Sequence, residues 1–139
     1  MICYAVIDTD VLVSALLSSK DDAATVQVMI RVLSGEIVTV YSTVMAKEYR
    51  EVLLRKKFGF ESGTVDVLLF AMKKFGVLVN PSPSGVVLPD ASNLPFYEVV
   101  LEKRGDNAYL VTGNTKHFSK ESFVVTPREL LDILKHKEH

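Results

Sequence analysis

Two aspartates spaced two residues apart, Asp8 and Asp10, follow directly on the apolar run Cys3-Tyr4-Ala5-Val6-Ile7. A short continuous apolar run is the pattern of a strand covered on both faces of a parallel sheet. Ligands of such sheets gather beyond the carboxyl ends of the strands. Asp8 is therefore expected at that rim, and Asp10 at or near the N-cap of the helix that follows. The plainer alternative is that Asp10 only caps that helix while Asp8 satisfies a nearby N–H. Three further places offer oxygen donors: Glu48, the stretch Asp90-Ala91-Ser92-Asn93, and Asn114. Carboxylates gathered without soft ligands suit Mg²⁺ or Mn²⁺ rather than zinc. Such a cation can activate water and clamp a phosphoryl oxygen for in-line displacement. Repulsion among the acids of an empty site would favour metal uptake or raise their pKa values.

These residues need a scaffold, and the spacing of apolar positions describes one. A helix over Val11 to Leu17 follows the first strand, then a polar break over Ser18 to Asp22. A second helix runs from Ala23 to Leu33, with Val26, Met29, Ile30 and Leu33 on one face, ended by Ser34-Gly35. Ile37 to Tyr41 is a β-branched strand. Ser42 or Thr43 caps a helix to about Lys57, whose inward stripe is Met45, Tyr49, Val52 and Leu53, with Glu48 on its margin. Thr64 to Phe75 is a further helix, Val77 to Val79 a short strand, and Asn80 to Gly85 a loop, since its two prolines cannot donate to a ladder. A helix from about Pro95 to Lys103, a strand over Ala108 to Thr112, a basic loop over Lys116 to Lys120 and a strand over Ser122 to Val125 complete the order. Thr126-Pro127-Arg128-Glu129 then has the form of a capping box with proline at N1, so Glu129 is read as a cap and not a site residue. This alternation predicts an α/β fold, a three-layer α/β/α sandwich around a mostly parallel central sheet.

The 139 residues favour one domain spanning the chain. Apolar residues make up 48% and charged residues 24%, the balance of a globular chain. With a net charge of −1 no global field draws the protein to nucleic acid or membrane, so a polyanion site must be a local basic patch. One cysteine, Cys3, excludes a disulfide framework and a cysteine zinc site and fits a reducing cytoplasm. No Lys or Arg precedes the first apolar run and two aspartates break it, against a signal peptide. No apolar stretch approaches a membrane span. A soluble cytoplasmic protein is expected.

The run Ile7-Asp8-Thr9-Asp10-Val11-Leu12-Val13-Ser14-Ala15-Leu16 resembles the opening of PIN-domain proteins, above all the toxins of bacterial toxin–antitoxin systems. The resemblance continues through Glu48 to Leu53, Phe96 to Leu101, Tyr109 to Asn114, Lys116-His117-Phe118 and Val125 to Glu129. Each block is short, but they cover nearly the whole chain in order. The resemblance implies an endoribonuclease that uses Mg²⁺ or Mn²⁺ to cleave RNA phosphodiesters. Asp8 and Glu48 match the family's first two acids, the turn containing Asp90 and Asn93 its third, and Asn114 the polar residue after the Val-Thr-Gly strand. Asp8, Glu48 and Asp90 are then the expected metal ligands, with Asn93 and Asn114 completing the catalytic set. Asp10 stands where asparagine is usual and adds a charge, whereas Ser92 and Asn93 thin a turn in which further aspartates are expected.

Thr9 and Ser14 are candidates to orient a ligand or a phosphate, and Glu98 to support the acids from behind. Lys116, His117 and Arg50 are the expected RNA contacts, of a kind that gives salt-dependent affinity without sequence choice. An antitoxin protein and a second copy of the chain, as a dimer or higher oligomer, are the expected partners. The competing expectation is a domain whose thinned acidic turn binds RNA or a protein without cleaving. A receiver-type phosphoacceptor fits less well, because the second strand ends on Tyr41-Ser42 rather than an aspartate. A Rossmann unit lacks the glycine fingerprint after the first strand.

Overall fold

The computed structural model describes residues 2–118 and 121–137. Its centre is β1 (Cys3–Ile7), in which Ala5, Val6 and Ile7 are wholly buried. The chain passes at once into α1 (Thr9–Leu17) and α2 (Ala24–Leu33), then β2 (Ile37–Tyr41), α3 (Thr43–Leu53), α4 (Ser62–Phe75) and β3 (Val77–Leu78). It continues through α5 (Leu94–Glu102), β4 (Tyr109–Val111), β5 (Val124–Val125) and α6 (Pro127–Lys137). The five strands form one sheet in the order β3-β2-β1-β4-β5, and every pairing is parallel. Parallel sheets need helices on both faces. Here α1, α2 and α6 pack together, α5 lies across β1, β2 and β4, and α3 and α4 close the side beyond β2. The expected three-layer α/β/α arrangement is present, with an all-parallel rather than a mostly parallel sheet.

The chain steps outward from β1 to β2 and β3, then jumps back to β4 on the other side of β1. The strand order therefore reverses between β1 and β4. This is where an open α/β sheet leaves a crevice for ligands at its carboxyl ends.

Local signals set most element boundaries. Ser42 is the N-cap of α3, accepting the Met45 N–H at 3.2 Å. At α6 the capping box forms in full: Glu129 N–H donates to Thr126 Oγ1 at 3.2 Å, and Thr126 N–H to Glu129 Oε1 at 2.9 Å. Some boundaries move. Helix α1 begins at Thr9 with Asp8 as N-cap, not Asp10, because the Asp8 carbonyl already accepts Val11 N–H at 3.0 Å. Helix α3 stops at Leu53 rather than Lys57, since Arg55 turns extended ahead of a short 3₁₀ turn over Lys56–Phe58. The expected basic loop holds a 3₁₀ turn over Thr115–His117, and its Ser119 and Lys120 lie outside the described residues. On α2 the buried residues are Val28, Met29 and Val32, while Ile30 and Leu33 are half exposed. That helix is apolar almost all round, so periodicity alone could not choose which stripe faces inward.

One glycine is required by close approach. A Cβ on Gly76 would lie 2.4 Å from the Met72 carbonyl oxygen and 2.8 Å from that of Thr39. Both are backbone atoms and cannot swing aside. Gly76→Ala is expected to destabilise the protein by roughly 1–3 kcal/mol, read as a lowered denaturant midpoint with an unchanged slope.

Candidate active site

Strand β1 delivers Asp8 to the crevice. Its N–H is still in register with the sheet, donating to Val111 O at 2.9 Å, while its side chain makes no capping hydrogen bond and is free for another partner. That partner is Thr112, wholly buried just past β4, whose Oγ1 donates to Asp8 Oδ2 at 2.8 Å. The same Oγ1 accepts Asn114 N–H at 3.0 Å. One hydroxyl thus orients the carboxylate at the end of β1 and the turn leaving β4.

Asp10 lies in the first turn of α1, on the solvent side of Asp8. It rests against Gly113, where a Cβ would come within 3.1 Å of Asp10 Oδ2. Between the two aspartates Thr9 turns the other way, its Oγ1 donating to Glu48 Oε2 at 2.6 Å. The next residue on α3, Tyr49, is buried against Phe96 (ring centroids 6.1 Å apart) and donates its hydroxyl to the Ile7 carbonyl. This bond ties α3 to the last residue of β1. Glu48 is held half-buried beside Asp8 as a consequence.

The neighbouring carboxylates bear on Asp8. Burial pushes the Asp8 carboxyl up to about 7; Asp10 and Glu48 add to the rise, and the Thr112 hydroxyl and Thr9 N–H oppose it. Asp10 is also raised, by crowding that keeps water from it. The N–H groups of Gly113 and Val11, the Asp8 carboxyl and the charge of His117 pull it back.

The remaining candidates are spread around this pair. Asp90 is exposed and turned into its own loop, accepting Ser92 N–H at 3.0 Å and Ser92 Oγ at 2.7 Å, bonds that hold its carboxyl below the usual range. His117 acts electrostatically on both Asp10 and Asp90, lowering each carboxyl. Its Nε2 lies 3.0 Å from Asn114 Nδ2, and Lys116 is exposed beside it. Ser14 is exposed one helical turn beyond Asp10. Glu98 accepts Ser84 N–H at 2.6 Å and so fastens the loop before α5. Arg50 pairs with Asp66 on α4. Two residues of helix separate it from Glu48 by about 200°, so it faces away from Asp8.

Among the described residues no three His, Cys, Asp or Glu side chains converge as a ready-made metal cage. Asp8 and Asp10, with Glu48 alongside, do fit a hard cation that keeps several waters and takes one or two carboxylates, which is the habit of Mg²⁺. The Asn93 Nδ2 is buried and has no hydrogen-bond partner. An acceptor carboxylate there would suit a cation better than an amide donor does. Asn93→Asp is expected to tighten Mn²⁺ binding about tenfold in calorimetry; an unchanged titration would place position 93 outside the metal's reach.

Thr112, Tyr49 and Gly113 escaped notice as site residues. Thr112 reads as the last residue of a strand and Tyr49 as core. The one available signal was a hydroxyl closing an otherwise apolar run, Tyr109-Leu110-Val111-Thr112. A family whose description is "PIN domain" matches residues 4–116 of the chain. No curated protein and no solved structure matches it.

Proposed function

Because the chain belongs to the PIN domain family, we propose that it is a metal-dependent endoribonuclease, the toxin of a bacterial toxin–antitoxin pair. PIN domains are generally nucleases and generally use divalent metal ions, and the fold is accordingly of nuclease type. The observation that carries the reading is the pair Asp8 and Asp10, crowded against Glu48 where the strand order reverses. Asp8 and Asp10 would hold Mg²⁺ or Mn²⁺ directly, and Glu48, steadied by Thr9, would hold it or its water. When bound, the cation supplies a polarised water and neutralises charge at a phosphodiester. Thr112 keeps the Asp8 carboxylate aimed and favours its ionised form. Lys116 and His117, next to Asn114 on the rim, supply the donors that receive an RNA phosphate.

The toxin assignment, the antitoxin and the pairing of copies rest on the blocks resembling that family between Ile7 and Glu129. Action in the cytoplasm agrees with a single buried thiol, Cys3. No helix among the described residues is long and apolar enough to cross a membrane.

A second reading has its own support. Asp90 is engaged with Ser92 and not aimed at Asp8, and Asn93 presents no charge. A PIN module that binds RNA or a protein without cleavage would tolerate both. Calorimetric titration of the wild type with Mn²⁺, beside an RNA cleavage assay, separates the two. Saturable binding with metal-dependent cleavage supports the nuclease; absence of both leaves the binding module.

A further inference from the structure

We infer that the outer groove between α3 and α4 is a second binding site, which holds single-stranded RNA running away from the acidic rim. This deepens the ribonuclease reading above. The groove has a volume of about 630 Å³, and its walls include Lys47, Arg50, Lys73 and the ring of Phe70. Phe70 is 66% exposed, a large apolar ring facing water. Lys74 lies over it at 6.0 Å and over the exposed Phe75 ring at 5.5 Å. Exposed aromatic faces interleaved with cations are what unpaired bases and their phosphates require, because every base offers a π-face and every linkage a charge.

Charge points to the same occupant. Between Thr43 and Phe75 there are seven Lys and Arg against four Asp and Glu, in a chain whose net charge is −1. One of those four acids, Glu48, faces Thr9 on the opposite side of α3, and a second, Asp66, is paired with Arg50. Glu51 also lines the groove, and Lys47 and Lys73 stand against it as the two cations left for a backbone. The groove's own lining carries three cations against two acids, a local positive balance in a chain of net negative charge.

Position connects the groove to the acids. Tyr41, the last residue of β2, donates its hydroxyl to Lys73 O at 3.4 Å, which sets this part of α4 at the carboxyl end of the sheet, as Asp8 is at the end of β1. A smaller cavity of about 200 Å³ adjoins the groove, lined by Ser42, Thr43 and Pro95 among others. Thr43 borders both cavities, and Pro95 is two residues from Asn93. The two cavities meet at Thr43, at the start of α3, and together extend the groove toward Pro95. Duplex RNA, whose bases are already stacked, cannot use such a platform.

The test is fluorescence anisotropy of labelled single-stranded and duplex oligoribonucleotides in EDTA, where no cleavage occurs. Wild type is compared with Phe70→Ala, with the double variant Lys47→Glu/Lys73→Glu, and with the exposed control Lys135→Glu on α6. Circular dichroism checks that each is folded. The expected result is preference for the single strand and a loss of at least fivefold in Phe70→Ala with an unchanged salt slope. The double charge variant should lose more than tenfold, with the slope of log K against log salt reduced by about 1.4. Groove variants that bind like wild type, equal affinity for duplex, or no oligonucleotide binding at all would overturn the assignment, the last leaving the groove to a protein. If the groove binds as expected but Mn²⁺ produces no cleavage, it is the nuclease reading that fails and not this one.

Discussion

Asp8→Asn is expected to abolish Mn²⁺-dependent RNA cleavage and, in the same protein, to raise the melting temperature of the metal-free form at pH 8. The two effects have one cause. Asp8 lies at the end of β1, 9% exposed, beside Asp10 and Glu48, and its carboxyl is pushed up to about 7. In the unfolded chain it titrates near 3.8. Between these values the folded state binds the proton more tightly than the unfolded state, so stability falls as pH rises from about 4 to about 7. A shift of that size amounts to roughly 4 kcal/mol as an upper bound, part of it belonging to Asp10. Asparagine keeps the acceptor for Thr112 and carries no charge, so it should remove much of the slope. A divalent cation should flatten the wild-type profile in the same way by neutralising the acids, but should leave the variant unmoved. Thermal melts from pH 4 to 8, with and without Mn²⁺, read all of this. An Asp8→Asn protein that still cleaves RNA at the wild-type rate would end the assignment of Asp8 to the site.

Thr112→Val should give the next largest effect, although Thr112 is not placed to touch substrate. Valine fills the same buried space but cannot donate to Asp8 Oδ2 or accept Asn114 N–H. Loss of the donor disfavours the ionised Asp8 carboxylate and frees it to rotate. Loss of the acceptor leaves a backbone N–H to find another partner where the Asn114–His117 turn begins. Metal supports of this kind typically matter 10- to 100-fold, and a similar fall in both Mn²⁺ affinity and cleavage is expected. Stability should fall by roughly 1–3 kcal/mol. Thr112→Ser keeps both hydrogen bonds and should recover most of the activity, which a purely steric role would not predict. Valine at position 112 with full activity and an unchanged metal titration would show the hydroxyl to be incidental.

What the sequence determined by itself was whatever depends on neighbours along the chain. The run from Cys3 to Ile7 specified a buried strand that stops on Asp8, and Thr126 with Glu129 specified a capping box that forms as expected. Ser42 before an amphipathic helix set the start of α3, and alternating strands and helices implied a parallel sheet with helices on both faces. Each rests on a local period, a cap or a turn, whose free energy is decided within a few residues. Only the tertiary structure could decide which polar groups meet. Thr9 finds Glu48 at a separation of 39 residues, and Thr112 finds Asp8 at 104. No spacing rule extends so far, because register between β1 and β4 is set by packing of the whole sheet. For the same reason the sequence could not show that Glu98 would turn to Ser84 and Arg50 to Asp66. An acid or a base at the right position in the chain has several partners within reach, and the fold chooses among them by which can be satisfied with least loss of solvation.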